Sequence, residues 1–493
     1  MTLGTLVVSI AVVALILTLV TGFALKRIEN WVVSYLQHFV GALFVFSGWV
    51  KAVDPLGTAY KMEQYFAEFE TTFESTWFSF LAPIFPKLAD MSTGFSVFMI
   101  VFEIVLGVML LIGLWRKLAS WLFLLLVAFF TFLTGFTFLT GYVPNDVNFF
   151  QFSKWGPYVS TNMKVTDCGC FGDFLKLEPR VSFLKDVVLL VPALVFVIFH
   201  RKMHTLFSTL SRVLIAVITA GVLLWYCFSN FSWDIPHTDF RPFKEGVNIG
   251  ERKALEEDAL INAEVIAYEL TNKETGEVIT LPYQELLERT SEFPTEVWEY
   301  EQIKEEPTVP TTKISDFEVS DTEGNEVTDQ LLSDPNYSFM IVAYKLYGTT
   351  STGTEIRYDT VYTMDTILQV DTVLLEPRIE SIDKKQVTVD VYDWNSKYLA
   401  PWKGSVNLVM NEAMDAGLNV AAVTSYADPA KLEDFKAASE SNYPFYLADD
   451  ILLKTIVRSN PGIVLLKNGE VIKKWHHKKL PSFTEIKSNY MAE

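Results

Sequence analysis

Cysteine is scarce in this 493-residue chain: three residues, too few to hold a fold of this length as a disulfide scaffold. Charge is scarce as well, at 20% of residues, and it carries no basic excess, because 59 acidic residues stand against 40 basic ones. A protein that neutralises phosphates needs a basic footprint, so nucleic-acid binding is excluded. The chain has no Gly-rich phosphate loop, no Ser-His-Asp grouping and no His-Glu-x-x-His, which removes the usual hydrolase signatures. Apolar mass is what it has. Half the residues are hydrophobic and 14% aromatic, more than one soluble core needs, so at least two domains are implied. The composition changes near position 228, beyond which lie 46 of the 59 acids and 25 of the 40 bases. The net charge of −19 therefore belongs to the second part.

Apolar runs near 2–24, 31–50, 95–114, 118–141, 184–200 and 207–228 approach the roughly 20 residues that cross a hydrocarbon layer of ~30 Å as helix. Glu103 is the one charge deep in a run, with Lys185, Asp186 and Arg212 close to run starts, and lipid obliges such segments to satisfy their own backbone hydrogen bonds, so six spanning helices are expected. Lys26 and Arg27 follow the first run, Arg116 and Lys117 join the third and fourth, and Arg201 and Lys202 join the fifth and sixth. These pairs fall on one side, which the positive-inside rule makes cytoplasmic. The N-terminus, the loops 51–94 and 142–183, and everything after 228 then lie outside, which in a bacterium is the periplasm. Residues 2–24 lack a basic leading segment and a small-residue cleavage site, so a retained span is expected rather than a signal peptide.

The first outer loop opens with Lys51 and Asp54 and runs on through Tyr60, Lys61 and Tyr65, each of which also suits an interfacial anchor. The second carries Thr166-Asp167-Cys168-Gly169-Cys170-Phe171-Gly172-Asp173, shortly before Lys185-Asp186. Together with the Phe-rich second span ending in Ser47-Gly48-Trp49-Val50-Lys51, the following Asp54-Pro55, and Glu103 ahead of a Gly- and Leu-rich stretch, these elements resemble the DoxX/MauE family of redox-associated membrane proteins. The resemblance covers roughly residues 30–200, a four-helix unit inside the six. It implies a bacterial inner-membrane bundle engaged in thiol redox or quinone-linked chemistry. Quinone is the one cofactor it brings into view, and Lys51, Asp54, Gly169, Phe171, Gly172, Lys185 and Asp186 are its motif residues.

Cys168 and Cys170 in an outer loop sit where disulfides persist, and a ring closed across Gly169 alone is tight and easily reduced. Cys227, at the outer end of the sixth run, is a third thiol at the same depth, so an exchange relay of the three is one reading. A static bridge from Cys168 or Cys170 to Cys227 is the other, and the residues alone leave both open. No His lies near the cysteines and a thiolate-only zinc site wants four, so no metal is expected. Glu103 is a site candidate because ionisable groups in lipid usually face a cavity or a proton path, with His38 as an available partner. A protonated acid hydrogen-bonded between helices is the plainer alternative.

Residues 229–312 form an acidic connector with strand-like pieces at 263–269 and 276–281, closed by a linker from Glu305-Glu306-Pro307 to Thr312. From about 313 to 493 the order is a hairpin-like Asp321–Glu326, a buried strand from Phe339 to Tyr344, and a Thr-rich insertion at about 347–395. A helix from Pro401 to Ala416, a strand 418–424, a helix from Asp428 to about Glu440, and two strands around Asn468-Gly469 follow. That order resembles a thioredoxin-like fold, with Asn460-Pro461 at its cis-proline position. The domain has no cysteine, so the Cys-x-x-Cys of a redox thioredoxin is missing and a binding module is expected. The basic Lys473–Lys479 stretch suits a solvated strand end or docking on an anionic surface.

The expected fold class is thus a six-span all-α membrane bundle with a DoxX-like four-helix unit, plus a periplasmic α/β thioredoxin-like domain. Its segments are a first span in 1–29, the bundle in 30–204, a sixth span in 205–228, the connector in 229–312 and the domain in 313–493. The expected function is thiol redox or disulfide provision for exported proteins, through Cys168, Cys170, Cys227 and Glu103, as a membrane thiol-disulfide oxidoreductase if it is an enzyme. The expected partners are the lipid bilayer and periplasmic or envelope proteins bound through 229–493. A non-catalytic membrane subunit or scaffold is the alternative. Transport has only Glu103 in its favour.

Overall fold

The computed structural model describes residues 2–165, 169–305, 307–369 and 372–491, which leaves Thr166, Asp167, Cys168 and Glu306 of the motifs above outside the described residues. The chain divides into two compact units, Met1–Ser315 and Asp316–Glu493.

In the first unit α1 (Leu3–Leu19) continues as a π turn to Ala24, and α2 (Trp31–Val53) follows. Next come α3 (Pro55–Glu74), the short α4 (Phe85–Asp90), α5 (Ser92–Ile112), α6 (Arg116–Leu139), α7 (Pro179–Phe199) and α8 (Thr209–Phe228). Six helical stretches among the described residues are long and apolar enough to cross a membrane: Leu3–Ala24, Trp31–Val53, Ser92–Ile112, Arg116–Tyr142, Pro179–Lys202 and Thr209–Trp233. The six expected runs are therefore six helices.

The region 51–94 is not a loop. Asp54 accepts the Gly57 amide as an N-cap and Pro55 opens the next helix, so this break restarts a helix instead of ending one. Helix α3 then buries Leu56, Ala59, Met62, Tyr65, Phe66 and Phe69, a stripe at helical spacing that packs against α5. Helices α2 and α5 approach closely where Gly41 faces Gly107. A Cβ on Gly107 would stand 2.9 Å from the Gly41 carbonyl oxygen, and one on Gly41 would stand 2.7 Å from Leu111 Cγ.

The turns that carry the basic residues are stitched together. Arg116 Nη1 donates to the Arg201 and Met203 carbonyls at 2.8 and 2.7 Å, and Arg212 Nη1 donates to the Gly113 carbonyl at 2.6 Å. Gln37 donates through Nε2 to the Leu110 carbonyl at 2.6 Å and accepts the His204 amide at 3.1 Å. The remainder of this unit is α9 (Ile249–Ile261) and an antiparallel sheet of order β2-β1-β3, with β1 (Val265–Asn272), β2 (Val278–Pro282), α10 (Tyr283–Arg289) and β3 (Trp298–Lys304). Strand β3 escaped the sequence reading because four of its seven residues are charged or amide, yet Trp298 reaches the small core with Leu270 and Phe293.

The second unit holds a five-stranded sheet of order β10-β9-β4-β7-β8. Its elements are α11 (Thr328–Leu332), β4 (Tyr337–Ala343), β5 (Gly348–Gln369), β6 (Thr372–Trp394), α12 (Ser396–Pro401), a π turn Trp402–Val406, and α13 (Asn407–Asp415). They continue with β7 (Asn419–Ser425), α14 (Pro429–Ser439), β8 (Phe445–Ala448), α15 (Asp450–Ile456), β9 (Gly462–Lys467), β10 (Glu470–His476) and α16 (Phe483–Tyr490). Strands β4, β7 and β8 run parallel, and β9 lies antiparallel to β4 and turns through Asn468-Gly469 into β10. The Asn460-Pro461 bond is cis and directly precedes β9. Trp402, Met410, Phe435 and Leu465 are fully buried in the core around this sheet. Five elements are additional to those expected from the sequence: the short α11 and α12, β8, too short to read as a run, α15, and α16, whose Ser482–Glu485 capping box marks its start.

Candidate functional site

A cavity lies within the first unit, between the end of α2, α3, the middle of α5, α6 and the start of α7, with the stretch 169–171 on its wall. About 60 Å³ of it is open to water molecules, room for a few of them. The wall is apolar in Leu43, Phe44, Val127, Leu133 and Leu189, and polar where the motif residues converge.

Two ion pairs organise the polar part. Lys51, near the C-terminal end of α2, points its Nζ at Glu103 Oε2 on α5 over 2.7 Å, and their side chains are 7% and 3% exposed. Lys185 pairs with Asp186 at the start of α7, where Asp186 is 2% exposed and also lies 3.0 Å from Thr134 Oγ1 of α6. Aromatic faces complete the surroundings of both cations. Lys51 Nζ stands 5.0 Å from the centroid of Phe130, and Lys185 Nζ stands 5.9 Å from that of Phe171. A buried carboxylate and a buried ammonium each demand a partner, and here each has one. Both pairs line the same water-sized cavity.

Cys170 lines the same cavity, half-buried, and its carbonyl accepts a hydrogen bond from Ser47 Oγ of α2 at 2.9 Å. Gly169 takes a φ of +61°, a left-handed conformation that suits a residue without Cβ, and its Cβ would meet Lys61 at 3.3 Å.

The structure thus brings together seven residues that the sequence singled out: Lys51, Glu103, Gly169, Cys170, Phe171, Lys185 and Asp186. Asp54 caps α3 next to them, and Gly172 lies near Val50. Cys168 lies outside the described residues. Cys227 is fully buried on α8 in an apolar cluster with Ala52, Val97, Ile100 and Ile104, and it is not among the cavity's lining residues. Pro461 belongs to the second unit. His38 is not the partner of Glu103. Its ring bonds Thr18 Oγ1 at 3.0 Å and stacks on His204 at 4.3 Å, in the region of the Gln37 clamp. His204, in the turn between α7 and α8, is held below the usual imidazole range by burial, against the opposing pull of the Leu111 carbonyl.

Lys61 and Tyr65, readable as interfacial anchors, line the cavity from α3 together with Thr58 and Met62. Their spacing of three and four residues was the available signal, and it becomes visible once 55–74 is read as helix. Tyr65 OH is 2.6 Å from Thr137 Oγ1, which fastens α3 to α6. Among the described residues no group of three or more His, Cys, Asp or Glu is arranged to hold a metal ion.

Residues 29–145 match the family model of methylamine utilisation protein MauE. This MauE region takes in α2 to α6, and so Lys51, Asp54, Lys61, Tyr65, Glu103 and Thr134, whereas Cys170, Lys185 and Asp186 lie past its end. The match supports a MauE-type membrane region over 29–145, which takes in three of the six candidate spans, those of α2, α5 and α6. No curated protein and no solved structure matches the chain.

Proposed function

We propose that the chain is a membrane thiol–disulfide exchange protein acting through Cys170 and Cys168. The observation that carries this reading is the position of Cys170 on a water-sized cavity inside a MauE-type helical unit, beside two Lys–carboxylate pairs. Thiol exchange needs a thiolate, and the ammonium groups of Lys51 and Lys185 supply positive charge on the wall of the same cavity. In the exchange, a thiolate of a partner dithiol attacks the Cys168–Cys170 bond. One cysteine leaves as a thiolate and takes a proton, and the second partner thiolate then resolves the mixed disulfide. The partner gains one disulfide, Cys168 and Cys170 become thiols, and two protons pass from partner to protein. Glu103 and Asp186 are the carboxylates on hand to relay them. A quinone does not suit this cavity, because ~60 Å³ falls well below the roughly 300–1,000 Å³ of organic-ligand pockets, so no step is assigned to one.

In this reading Arg116 and Lys202 face the bacterial cytoplasm, and the second unit lies in the periplasm. The sheet order, the parallel β4-β7 pair, the antiparallel β9-β10 hairpin and the cis Asn460-Pro461 bond support a thioredoxin-like fold for that unit. It holds no cysteine, so its part is to bind and position the exported partner. A scaffold role is the second reading, favoured by the Ser47–Cys170 hydrogen bond, which fastens the stretch to α2 without any redox step.

Acid-quench trapping of thiols in growing cells separates the two. Exchange predicts a mixture of oxidised and reduced Cys168–Cys170 and, in Cys168→Ser, a mixed disulfide between Cys170 and a partner protein. A single fixed thiol state, unchanged by Cys168→Ser, refutes it.

A further inference from the structure

The long hairpin of the second unit is an amphipathic arm. Strands β5 and β6 pair with each other over Gly348–Gln369 and Thr372–Trp394, and they form a two-stranded sheet of their own. At ~3.3 Å per residue the 22 residues of β5 extend about 70 Å. The base is anchored in the unit's core, where Trp394 packs edge-on against Phe435 at 4.9 Å and donates to Asp434 at 2.6 Å.

The register sorts the side chains of the distal half onto two unlike faces. Ile356, Tyr358, Tyr362 and Met364 of β5 share one face, joined by their cross-strand neighbours Ile379 and Ile382 of β6. These six side chains are 47 to 65% exposed. The opposite face over the same stretch carries Glu355, Arg357, Asp359, Arg378, Asp383 and Lys385. A bulge between Val361 and Tyr362 keeps the two patterns in phase. An isolated two-stranded ribbon is marginal in water, and a continuous apolar face on one needs a cover.

We propose that this cover is the same face of a second copy of the chain, packed apolar side to apolar side. The first argument is area. A ribbon about 10 Å wide and 70 Å long offers roughly 700 Å² per copy, or about 1,400 Å² for a pair, inside the ~1,200–2,000 Å² of stable interfaces. The distal apolar half would form the core, and the Thr-rich proximal half, with Thr350, Thr352 and Thr354 on the same face, would form the polar rim.

The second argument is self-complementarity. A two-fold axis through the Thr360–Ile382 pair sets Ile356 against Met364 of the second copy, and Tyr358 against Tyr362 of the second copy. Lys384, on the apolar face, pairs with Tyr358 within its own ribbon and so falls beside the aromatic rings of the second copy. Glu355, Arg357, Asp359, Arg378, Asp383 and Lys385 stay on the outer faces, in water. A lipid surface fits less well, because residues 348–394 carry nine acidic and four basic side chains, which anionic headgroups repel. The six candidate spans confine every copy to one membrane, which raises the concentration at which arms meet. This association stands whether or not Cys170 exchanges disulfides.

The test uses the full chain in native membranes with a benzophenone amino acid at Tyr358 or, on the opposite face, at Asp359. The expected result is a product of twice the chain's mass from position 358, with its crosslink mapped to residues 354–388 of a second copy, and none from 359. In detergent solution, Tyr362→Glu with Ile379→Glu is expected to convert dimer to monomer, while Asp359→Asn with Asp383→Asn leaves the dimer intact. The proposal is overturned by crosslinks to lipid or to a different protein, by equal crosslinking from both faces, by no crosslink at 358, or by a dimer that survives both glutamates. The unaltered register at position 358 keeps the test valid even if the glutamate variant fails to fold.

Discussion

Removing either member of the Lys51–Glu103 pair tests whether the cavity is built on that contact. Lys51→Met leaves a carboxylate that is 3% exposed with its cation gone, and Glu103→Met strands an ammonium that is 7% exposed. Breaking a buried pair by deleting one partner costs about 3–5 kcal/mol, because the surviving charge is uncompensated. Two independent losses of that size would total about 6–10 kcal/mol, comparable with the entire stability of many proteins at ~5–15 kcal/mol. The contact is shared, however, and replacing both partners with apolar groups of similar volume removes both charges together. The double variant is therefore expected within about 2 kcal/mol of the unmodified protein, which makes the coupling energy at least ~4 kcal/mol. The assay is SDS-induced unfolding of the purified protein in mixed micelles, followed by far-UV circular dichroism for all four members of the cycle. Singles whose losses add to within ~0.5 kcal/mol of the double would refute the reasoning, because additivity is the behaviour of residues that do not touch.

Gly107→Ala brings a methyl group to 2.9 Å from the Gly41 carbonyl oxygen, so it is expected to cost about 1–3 kcal/mol in the same unfolding assay, with Gly94→Ala, whose added Cβ meets nothing within 4 Å, as the mild control. Asn407→Ala strips the donor from the Ser439 and Glu440 carbonyls and the acceptor from Tyr443 OH; urea unfolding of a fragment beginning at Asp316 should fall by about 2–4 kcal/mol. Burial lowers His477 below its ordinary value of 6.5, aided by Lys478 and opposed by the Pro461 carbonyl, so the folded unit holds it neutral while the unfolded chain takes up a proton. Its contribution is complete above pH 6.5 and fades as pH falls toward the depressed folded value; the urea midpoint should drop between pH 7.5 and 5.5, and His477→Gln should flatten that slope.

The six spans were legible because lipid leaves an apolar helix as the only economical conformation for runs such as 2–24 and 118–141. Helix α3 was not, because Asp54-Pro55 reads equally as the end of one helix or the cap of the next, and only packing of Met62, Tyr65 and Phe69 decides. In the cavity, each charged residue stood out alone, but the pairing did not. Lys51 and Glu103 are 52 positions apart and meet only through the α2–α5 contact that Gly41 and Gly107 allow, while His38 looked as available a partner and is used elsewhere. In the second unit the order of elements was readable, whereas the central position of β4 between β7 and β9 was not, since a list of strands carries no neighbour information. The Thr-rich insertion read as strand-prone, and its register then separated an oily face from a charged one.

Arg116 and Arg212 carry the sign of charge that orients a chain during insertion, and the same guanidinium groups close the turns between helices by bonding the Arg201, Met203 and Gly113 carbonyls. Positive charge is all that an orienting residue needs, whereas the turn closure depends on the reach of the side chain, since Arg116 Nη1 alone meets two carbonyls. An uncharged side chain at position 116 would remove both the charge and the bonds to the Arg201 and Met203 carbonyls. One side chain thus serves two ends, so a substitution there would disturb the positive charge at this end of the helices and the closure of their turns together.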